Sequence, residues 1–386
     1  NNIRNTRSFK NWLNKTKGIL QEKYSSNLYS VGINAAEHLK LVPPKYKSDA
    51  PEVDGRIILR DNFDELLKKY DRLIIFGEDS GKIGGVNQGL EGLQEKHGAI
   101  RVADTGIREA TIVGQGIGMS IRGLKPIAEI QYLDYILYCI QILSDDLATL
   151  SYRTKGRQLA PLIIRTRGHR LEGIWHSGSP MAGLINLTRG IQLLVPRNMT
   201  QAAGFYNTLL QSNQPAIVIE SLNGYRIKEK LPSNLGEYNL PIGKIEILKT
   251  GTDITLISYG STLRIVYEVA NKIEGYDISA EVIDVQTLIP FDNEKEIRQS
   301  IAKTNRVLII DEDMPGGASA YILQQLLEEQ DVYPLLDSQP KLLSAKEHRT
   351  AYAEDGDYFS KPSSDDIFEC IYEILSENNP NKYPPL

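Results

Sequence analysis

The side chains best suited to chemistry are concentrated in a few short segments of the sequence. Asp104-Thr105-Gly106-Ile107-Arg108-Glu109 leads into Ala110 to Ser120, a helical pattern dominated by small residues. Glu109 falls in the first turn, where a carboxylate complements the helix dipole, and Asp104 or Thr105 is placed to cap. Glycines 114, 116 and 118 each cost that helix roughly 1 kcal/mol relative to alanine, so something is expected to lie close to its backbone. Gly168 to Pro180 (GHRLEGIWHSGSP) is a long loop by composition, with two His, one Glu and one Trp. Its make-up points to a general acid or base role for one imidazole. Asp311-Glu312-Asp313 follows an apolar run; such a triplet can bind a cation, but a charge run reads first as a solvated loop.

Several sharper motifs are excluded by spacing. Gly77 to Gly85 (GEDSGKIGG) has the glycines of a close approach to ligand, but it is neither a Walker loop nor the opening of a helix, and reads as a tight connection. Gly114-Gln115-Gly116-Ile117-Gly118 lies inside a helix pattern and is not a dinucleotide fingerprint. His169 and His176 match no zinc spacing, and Glu354-Asp355-Gly356-Asp357 lacks the twelfth-position Glu of a calcium loop. Tyr135, in Glu129-Ile130-Gln131-Tyr132-Leu133-Asp134-Tyr135, reads from its place alone as a core or edge aromatic.

The elements that position these groups alternate. Short apolar runs at Arg72 to Phe76, Lys125 to Ile130, Pro161 to Arg165, Ile191 to Val195 and Ala216 to Glu220 read as strands. Helical patterns at Leu59 to Leu67, Tyr135 to Ser151 and Met199 to Gln211 separate them. Strands joined by helices need crossover connections, so the sheet is expected to be mainly parallel and covered on both faces. Leu222 to Gly243 reads as a linker. Beyond it, strands at Ile254 to Tyr259, Ala280 to Val285 and Arg306 to Ile310, with helices at Leu263 to Lys272 and Ala318 to Glu329, predict a second, smaller α/β layer. The expected division is an arm or linker over 1–50, a first domain over 51–222, a linker over 223–243 and a second domain over 244–386.

With 386 residues, 41% hydrophobic and 24% charged, the chain is an ordinary globular protein of two or three domains. The net charge is −5; the first fifty residues hold nine Lys and Arg against three Asp and Glu, leaving 35 against 46 on the rest. That acidic body argues against a nucleic-acid platform. Two distant cysteines, Cys139 and Cys370, exclude a disulfide framework and a thiolate metal cluster, and a reducing, cytoplasmic compartment is expected. No apolar run approaches the roughly 18 residues of a bilayer span, so no membrane partner is expected. The first residue reads as a cut or disordered edge.

Phe76-Gly77-Glu78-Asp79, Arg101 to Glu109, Lys125 to Tyr135 and Trp175-His176-Ser177, in this order, resemble the beta subunit of the thiamine diphosphate-dependent 2-oxo acid dehydrogenase decarboxylases. Gly251 to Gly260, Val282 to Asp292 and Gly316-Gly317 are similar to the C-terminal domain that this family shares with transketolases. Ala345 to Pro362 looks like bacterial versions in which alpha and beta regions are fused. The resemblance covers roughly residues 55 to 375. It implies an α/β fold, with a pyrimidine-binding domain built on a mainly parallel sheet and a transketolase C-terminal-like domain.

The resemblance also implies roles. Glu109 is the carboxylate that bonds the ring nitrogen of the cofactor's aminopyrimidine; Tyr135 stacks against that ring; Ile107, Glu78 and Gln131 line its slot. His176 stands near the thiazolium, placed to donate protons when the lipoyl group of the transacylase is reductively acylated. The usual Asp-Thr-Pro is Asp104-Thr105-Gly106 here, which relaxes the turn before Glu109. The Gly-Asp-Gly motif with its downstream Asn, which holds Mg2+ and the diphosphate, is absent, so thiamine diphosphate would be shared with an alpha component or region that carries the Mg2+. No metal site is expected on this chain. The basic N-terminal arm reads as a connector from such an alpha region. The implied assembly is a beta-beta homodimer or a complex of two alpha and two beta parts with a lipoylated dihydrolipoyl transacylase. The implied substrate is a branched-chain 2-oxo acid, 3-methyl-2-oxobutanoate, the alternatives being a pyruvate dehydrogenase beta component or a non-catalytic scaffold.

Overall fold

The computed structural model describes residues 2–30, 32–169 and 173–385; Arg170, Leu171 and Glu172 of the histidine-bearing loop lie outside the described residues. Helix α1 (Asn2–Ser25) opens the chain, followed by strand β1 (Glu52–Asp54), α2 (Gly55–Lys69) and β2 (Leu73–Gly77). Then come α3 (Leu93–His97), β3 (Val102–Asp104), α4 (Glu109–Ile121) and β4 (Lys125–Glu129). The stretch read as one helix over 135–151 is continuous but irregular. It is 3-10 over Leu133–Cys139, π over Ile142–Leu147 and α at its end in α5 (Leu150–Arg153). After β5 (Ile163–Gly168) follow α6 (Met181–Leu187), β6 (Gln192–Leu194), α7 (Met199–Leu209), β7 (Ala216–Ser221) and β8 (Lys228–Lys230).

The second half contains β9 (Glu246–Lys249), β10 (Ile254–Ser258), α8 (Thr262–Lys272), β11 (Ala280–Asp284) and β12 (Thr287–Ile289). It continues with α9 (Glu296–Thr304), β13 (Val307–Ile310), α10 (Ala318–Gln324), β14 (Lys341–Leu343), α11 (Glu354–Ser360) and α12 (Ser364–Asn378).

The described residues form two large sheets. The first has the order β12-β6-β7-β5-β4-β2-β3 and the second β14-β13-β10-β11-β9. All pairings are parallel except β12 with β6 and β9 with β11. Runs such as Ile163 to Gly168, buried at every position, are what a sheet covered on both faces requires.

The two halves are more closely joined than a linker reading suggests. Strand β12, from beyond residue 243, completes the first sheet, and the Val195 N–H donates to the Gln286 carbonyl at 2.9 Å. A single apolar cluster runs from Phe76 and Ile130 through Leu193 and Val195 to Ile257, Tyr259 and Val285. The segment 223–243 itself carries a 3-10 turn and β8, which pairs with β1, and it buries Tyr225 and Tyr238. Its Asn, Gly and Pro content marks turns, while those tyrosines fasten it to the first domain.

Candidate active site

Parallel strands deliver their carboxyl ends to one edge, where ligands of open α/β sheets gather. Here β2, β3 and β4 are adjacent, and each ends in or just before an acidic residue: Glu78 and Asp79 after β2, Asp104 in β3, Glu129 in β4. The loop after β3 turns directly into α4, so Glu109, its first residue, stands half-buried on the same edge. The expected cap by Asp104 or Thr105 is not made, since Arg108 occupies the cap position without a side-chain bond. Asp104 instead accepts the Gly81 N–H at 2.7 Å and the Lys82 N–H at 3.0 Å, tying down the loop that follows β2. Asp104, and not Glu109, makes this tie.

Glu78, Glu109 and Tyr135 share one electrostatic neighbourhood. Burial raises the Glu78 carboxyl above the ordinary range, with the charges of Asp79 and Glu109 adding to it. Burial also raises the Tyr135 phenol, assisted by Tyr132, Glu78, Asp134 and Glu109. Burial pushes the Cys139 thiol up to about 12, with Glu109 again a neighbour, so this sulfur stays a neutral wall group. The His176 ring stacks flat on Tyr132, centroids 3.7 Å apart and planes within 4°, and meets Tyr135 edge-on at 5.3 Å and 86°. Its own φ is +57°, a left-handed conformation that must be held from outside. Gln131 reaches the cleft through Asp79, donating from Nε2 to Oδ2 at 3.1 Å. Ile107 lies on the shoulder before Glu109 with its side chain 70% exposed.

Beneath this cleft lies a group of charges that spacing does not reveal. Arg165 donates to Glu220 through Nε at 2.8 Å and Nη2 at 3.1 Å, and through Nη1 to Glu129. Arg167 donates to Glu129 Oε1 at 2.8 Å and to the Tyr225 hydroxyl at 2.9 Å. All four charged side chains are fully buried. Burial drives the Glu129 carboxyl upward, but the two guanidiniums outweigh it and its pKa ends below the ordinary value. The third arm of Arg167, Nη1, donates to the Gln131 carbonyl at 3.0 Å. The network therefore fixes the backbone at the start of the Gln131 to Tyr135 segment. Period-2 alternation would have assigned Arg165 and Arg167 to a solvent face.

Two further expectations change. Asp311, Glu312 and Asp313 are not a solvated loop: they are 0%, 4% and 1% exposed. The second domain packs over them, with Asp311 accepting from the Tyr259 hydroxyl at 2.7 Å, from the Asp313 N–H at 3.0 Å and from the Ser319 N–H at 2.9 Å. His169 is a seam residue. It is buried where the domains meet, its Nδ1 accepting the Ser261 N–H at 3.1 Å and its Nε2 lying 3.8 Å from Asp311. The α4 glycines divide. A Cβ at Gly116 would lie 2.6 Å from Leu162, while Gly114 and Gly118 face open space on the outer side. Among the described residues no cluster of three or more His, Cys, Asp or Glu could hold a metal ion, and no helix is long and apolar enough to cross a membrane.

Comparison with known proteins agrees with this architecture. Residues 52–228 match the transketolase pyrimidine-binding domain, and residues 243–355 match the transketolase C-terminal domain. The chain is 32% identical over 274 residues to the pyruvate dehydrogenase E1 component subunit beta of Acholeplasma laidlawii, covering 70% of this chain and 83% of that protein. The chain belongs to the E1 beta-subunit family. The 2-oxoisovalerate dehydrogenase subunit beta of Bacillus subtilis is similar to the same degree, 32% over 274 residues with the same coverage. Among solved structures, a split-gene transketolase described as an inactive beta4 tetramer superposes with a TM-score of 0.67 at 19% identity. That alignment covers 85% of this chain and all of that one. A Pichia stipitis transketolase mutant gives 0.61 at 13% identity, over 98% of this chain and 54% of its own. These last two establish the fold. The E1 beta family thus unites relatives named for pyruvate and for a branched-chain substrate.

Proposed function

We propose that this chain is the beta part of a thiamine diphosphate-dependent 2-oxo acid dehydrogenase acting on 3-methyl-2-oxobutanoate, with Glu109 as its essential carboxylate. One observation carries the reading: Glu109 heads α4 at the carboxyl edge of β2 to β4, in one neighbourhood with Glu78 and Tyr135. The donor set suits an aminopyrimidine, which needs a carboxyl for its ring nitrogen and an aromatic face for its ring. Bound there, thiamine diphosphate supplies the nucleophilic carbon and the electron sink that loss of carbon dioxide from a 2-oxo acid needs.

This chain's residues then bind and orient. Glu109 holds a hydrogen bond to the pyrimidine nitrogen, and Glu78, its carboxyl raised by burial and by the charges of Asp79 and Glu109, lines the slot beside it. Tyr135 offers its face, Gln131 stays fixed through Asp79, and Ile107 closes the open shoulder against a neighbouring subunit. His176 holds a proton at an imidazole nitrogen for a leaving lipoyl sulfur. The Gly-Asp-Gly motif is absent from the sequence, so the diphosphate and Mg2+ belong to an alpha component or region, and the active assembly pairs two such parts with two of these chains. The lipoylated dihydrolipoyl transacylase accepts the acyl group. A cytoplasmic setting suits two cysteines that pair with nothing.

Substituting Glu109→Gln in the assembly reconstituted with its alpha part tests the reading. Decarboxylation should fall by at least about a hundredfold, as for loss of a general acid–base group, with the assembly unchanged by sedimentation. Unaltered turnover would make the chain a scaffold. Faster turnover of pyruvate than of 3-methyl-2-oxobutanoate by the parent assembly would move the substrate to the other named branch of the family.

A further inference from the structure

We infer that the second domain carries a strap, residues 345–361, that sets the position of the His176 loop, with Asp357 as the positioning residue. The inference rests on the function proposed above and adds a residue to it. The strap leaves β14 and is anchored at its start, where the Ala345 N–H donates to the Asp313 carbonyl at 2.9 Å. It closes on itself at Ser360: the Lys346 N–H donates to the Ser360 carbonyl at 2.9 Å, and the Ala351 N–H to its hydroxyl at 3.0 Å. The His348 ring stacks on Phe359, with the Lys346 ammonium 5.3 Å from the same ring.

So built, the strap touches the first domain on both sides of His176. Asp357 Oδ2 accepts the Gly173 N–H at 2.8 Å, within the loop and three residues before His176, across 184 residues of sequence. Arg349 Nη1 lies 3.4 Å from Asp134 Oδ1, next to Tyr135. The Tyr352 ring meets Trp175 edge-on at 6.5 Å. A Cβ at Gly178 would collide with the Asp134 carboxylate and the Arg349 guanidinium, so loop, cleft wall and strap are already in contact there. Between them is a cavity of about 150 Å³, lined by Ser177 and Ser179 on one side and by Glu312, Asp313, Lys346 and Lys361 on the other. Within the loop, Ser177 donates to the Ile174 carbonyl at 3.0 Å, a turn that shapes the loop without fixing it to anything else.

His176 itself has φ +57°, a conformation that persists only where the surroundings impose it. The flat stack on Tyr132 fixes the ring, and the bond from Asp357 holds the backbone three residues before it. A carboxylate accepting a backbone N–H is charge-assisted and the stronger for being half-shielded from water. The same acidic segment, Glu354 to Asp357, has the residue types of a cation loop without its geometry, and this contact gives it a use.

The test is a split between two readouts of the assembled enzyme with its alpha part. Decarboxylation is followed with an artificial electron acceptor, dichlorophenolindophenol, and reductive acylation with a lipoylated transacylase domain. In Asp357→Ala the lipoyl-dependent rate should drop about tenfold, the scale of one lost charge-assisted hydrogen bond. The dye-coupled rate and the dissociation constant of thiamine diphosphate should stay within about twofold. Asp357→Asn, which keeps an acceptor oxygen, should recover most of the loss. Arg349→Ala, at an exposed residue, should move the ratio the same way and stands in if Asp357→Ala fails to assemble. Equal slowing of both readouts, or an unchanged ratio in both alanine variants, overturns the assignment. A Glu109→Gln control that leaves the dye-coupled rate intact would instead overturn the proposed function.

Discussion

Replacing Asp313 by Asn should stabilise the protein, and increasingly so as the pH rises. The Asp313 side chain is 1% exposed, at the floor of the cavity between strap and loop. Burial, with the charge of Asp311 beside it, raises its carboxyl from 3.8 to about 8, against the opposing help of the Ser179 hydroxyl and the Ala318 N–H. Below about pH 4 the group is neutral in both folded and unfolded chains and contributes nothing. Above that, the unfolded chain releases its proton while the folded chain holds it until about pH 8, so the folded state loses about 1.4 kcal/mol for each pH unit of the window. The loss levels off above the folded value. Taken over the whole window the ceiling is about 6 kcal/mol. Part of this rise comes from the charge of Asp311, and the neighbouring charges can readjust when the proton leaves, which brings the expected gain from Asn to about 1–3 kcal/mol near pH 8.

Asn is the right perturbation because it keeps an acceptor oxygen for the Ala318 N–H, 3.2 Å away, and cannot ionise. The assay is urea denaturation of parent and variant at about pH 5 and about pH 8, followed by circular dichroism and compared at equal m-value. The variant's midpoint should exceed the parent's by a small margin at the lower pH and by a clearly larger one at the higher. A midpoint difference that is the same at both pH values, or a less stable variant at pH 8, refutes the reasoning.

The buried charge network makes the opposite kind of prediction. Glu220→Ala strips Arg165 of two hydrogen bonds and leaves its guanidinium and the Tyr206 hydroxyl without that partner, which should cost about 3–5 kcal/mol. A thermal denaturation midpoint close to the parent's would show that water or a shifted Glu129 replaces it. The α4 glycines should separate in the same assay. Gly116→Ala meets Leu162 and should destabilise by about 1–3 kcal/mol. Gly114→Ala, on the open side, should stabilise the isolated chain by up to about 1 kcal/mol. Matching effects at the two positions would contradict the packing described for this helix.

What the sequence discloses and what it hides divide along physical lines. Alternating apolar runs and helical periods are local, and they locate β2, β4, β5 and β7 to within a few residues because each is buried on both faces. Glu109 stands out in the sequence through the block Asp104 to Glu109, which resembles the family's; spacing alone places it only in the first turn of a helix, and there the structure has it. Arg165, Arg167, Glu129 and Glu220 are illegible because single charges in apolar runs carry no mark of their partners, which lie 36 to 60 residues away. Asp311 to Asp313 mislead for the same reason: a charge run faces water unless something covers it, and the cover here includes the strap. Strand β12 is three residues long, too short for any periodicity, yet it joins the two halves.

The hidden features have one direction in common, from the second domain toward the first. β12 extends the sheet on which the cleft is built, and His169 directly follows β5 with its ring set between Ser261 and Asp311 of the other half. Asp357 then grips the loop that follows that same strand, at Gly173. Glu109, by contrast, is presented entirely by first-domain elements, α4 and the loop after β3. A division of labour follows from this placement. The carboxylate end of the cleft depends on the first domain alone, while the imidazole end depends on both. Perturbations of the domain seam should therefore reach His176 before they reach Glu109, which is why a change at position 357 is expected to separate the two half-reactions instead of slowing them together.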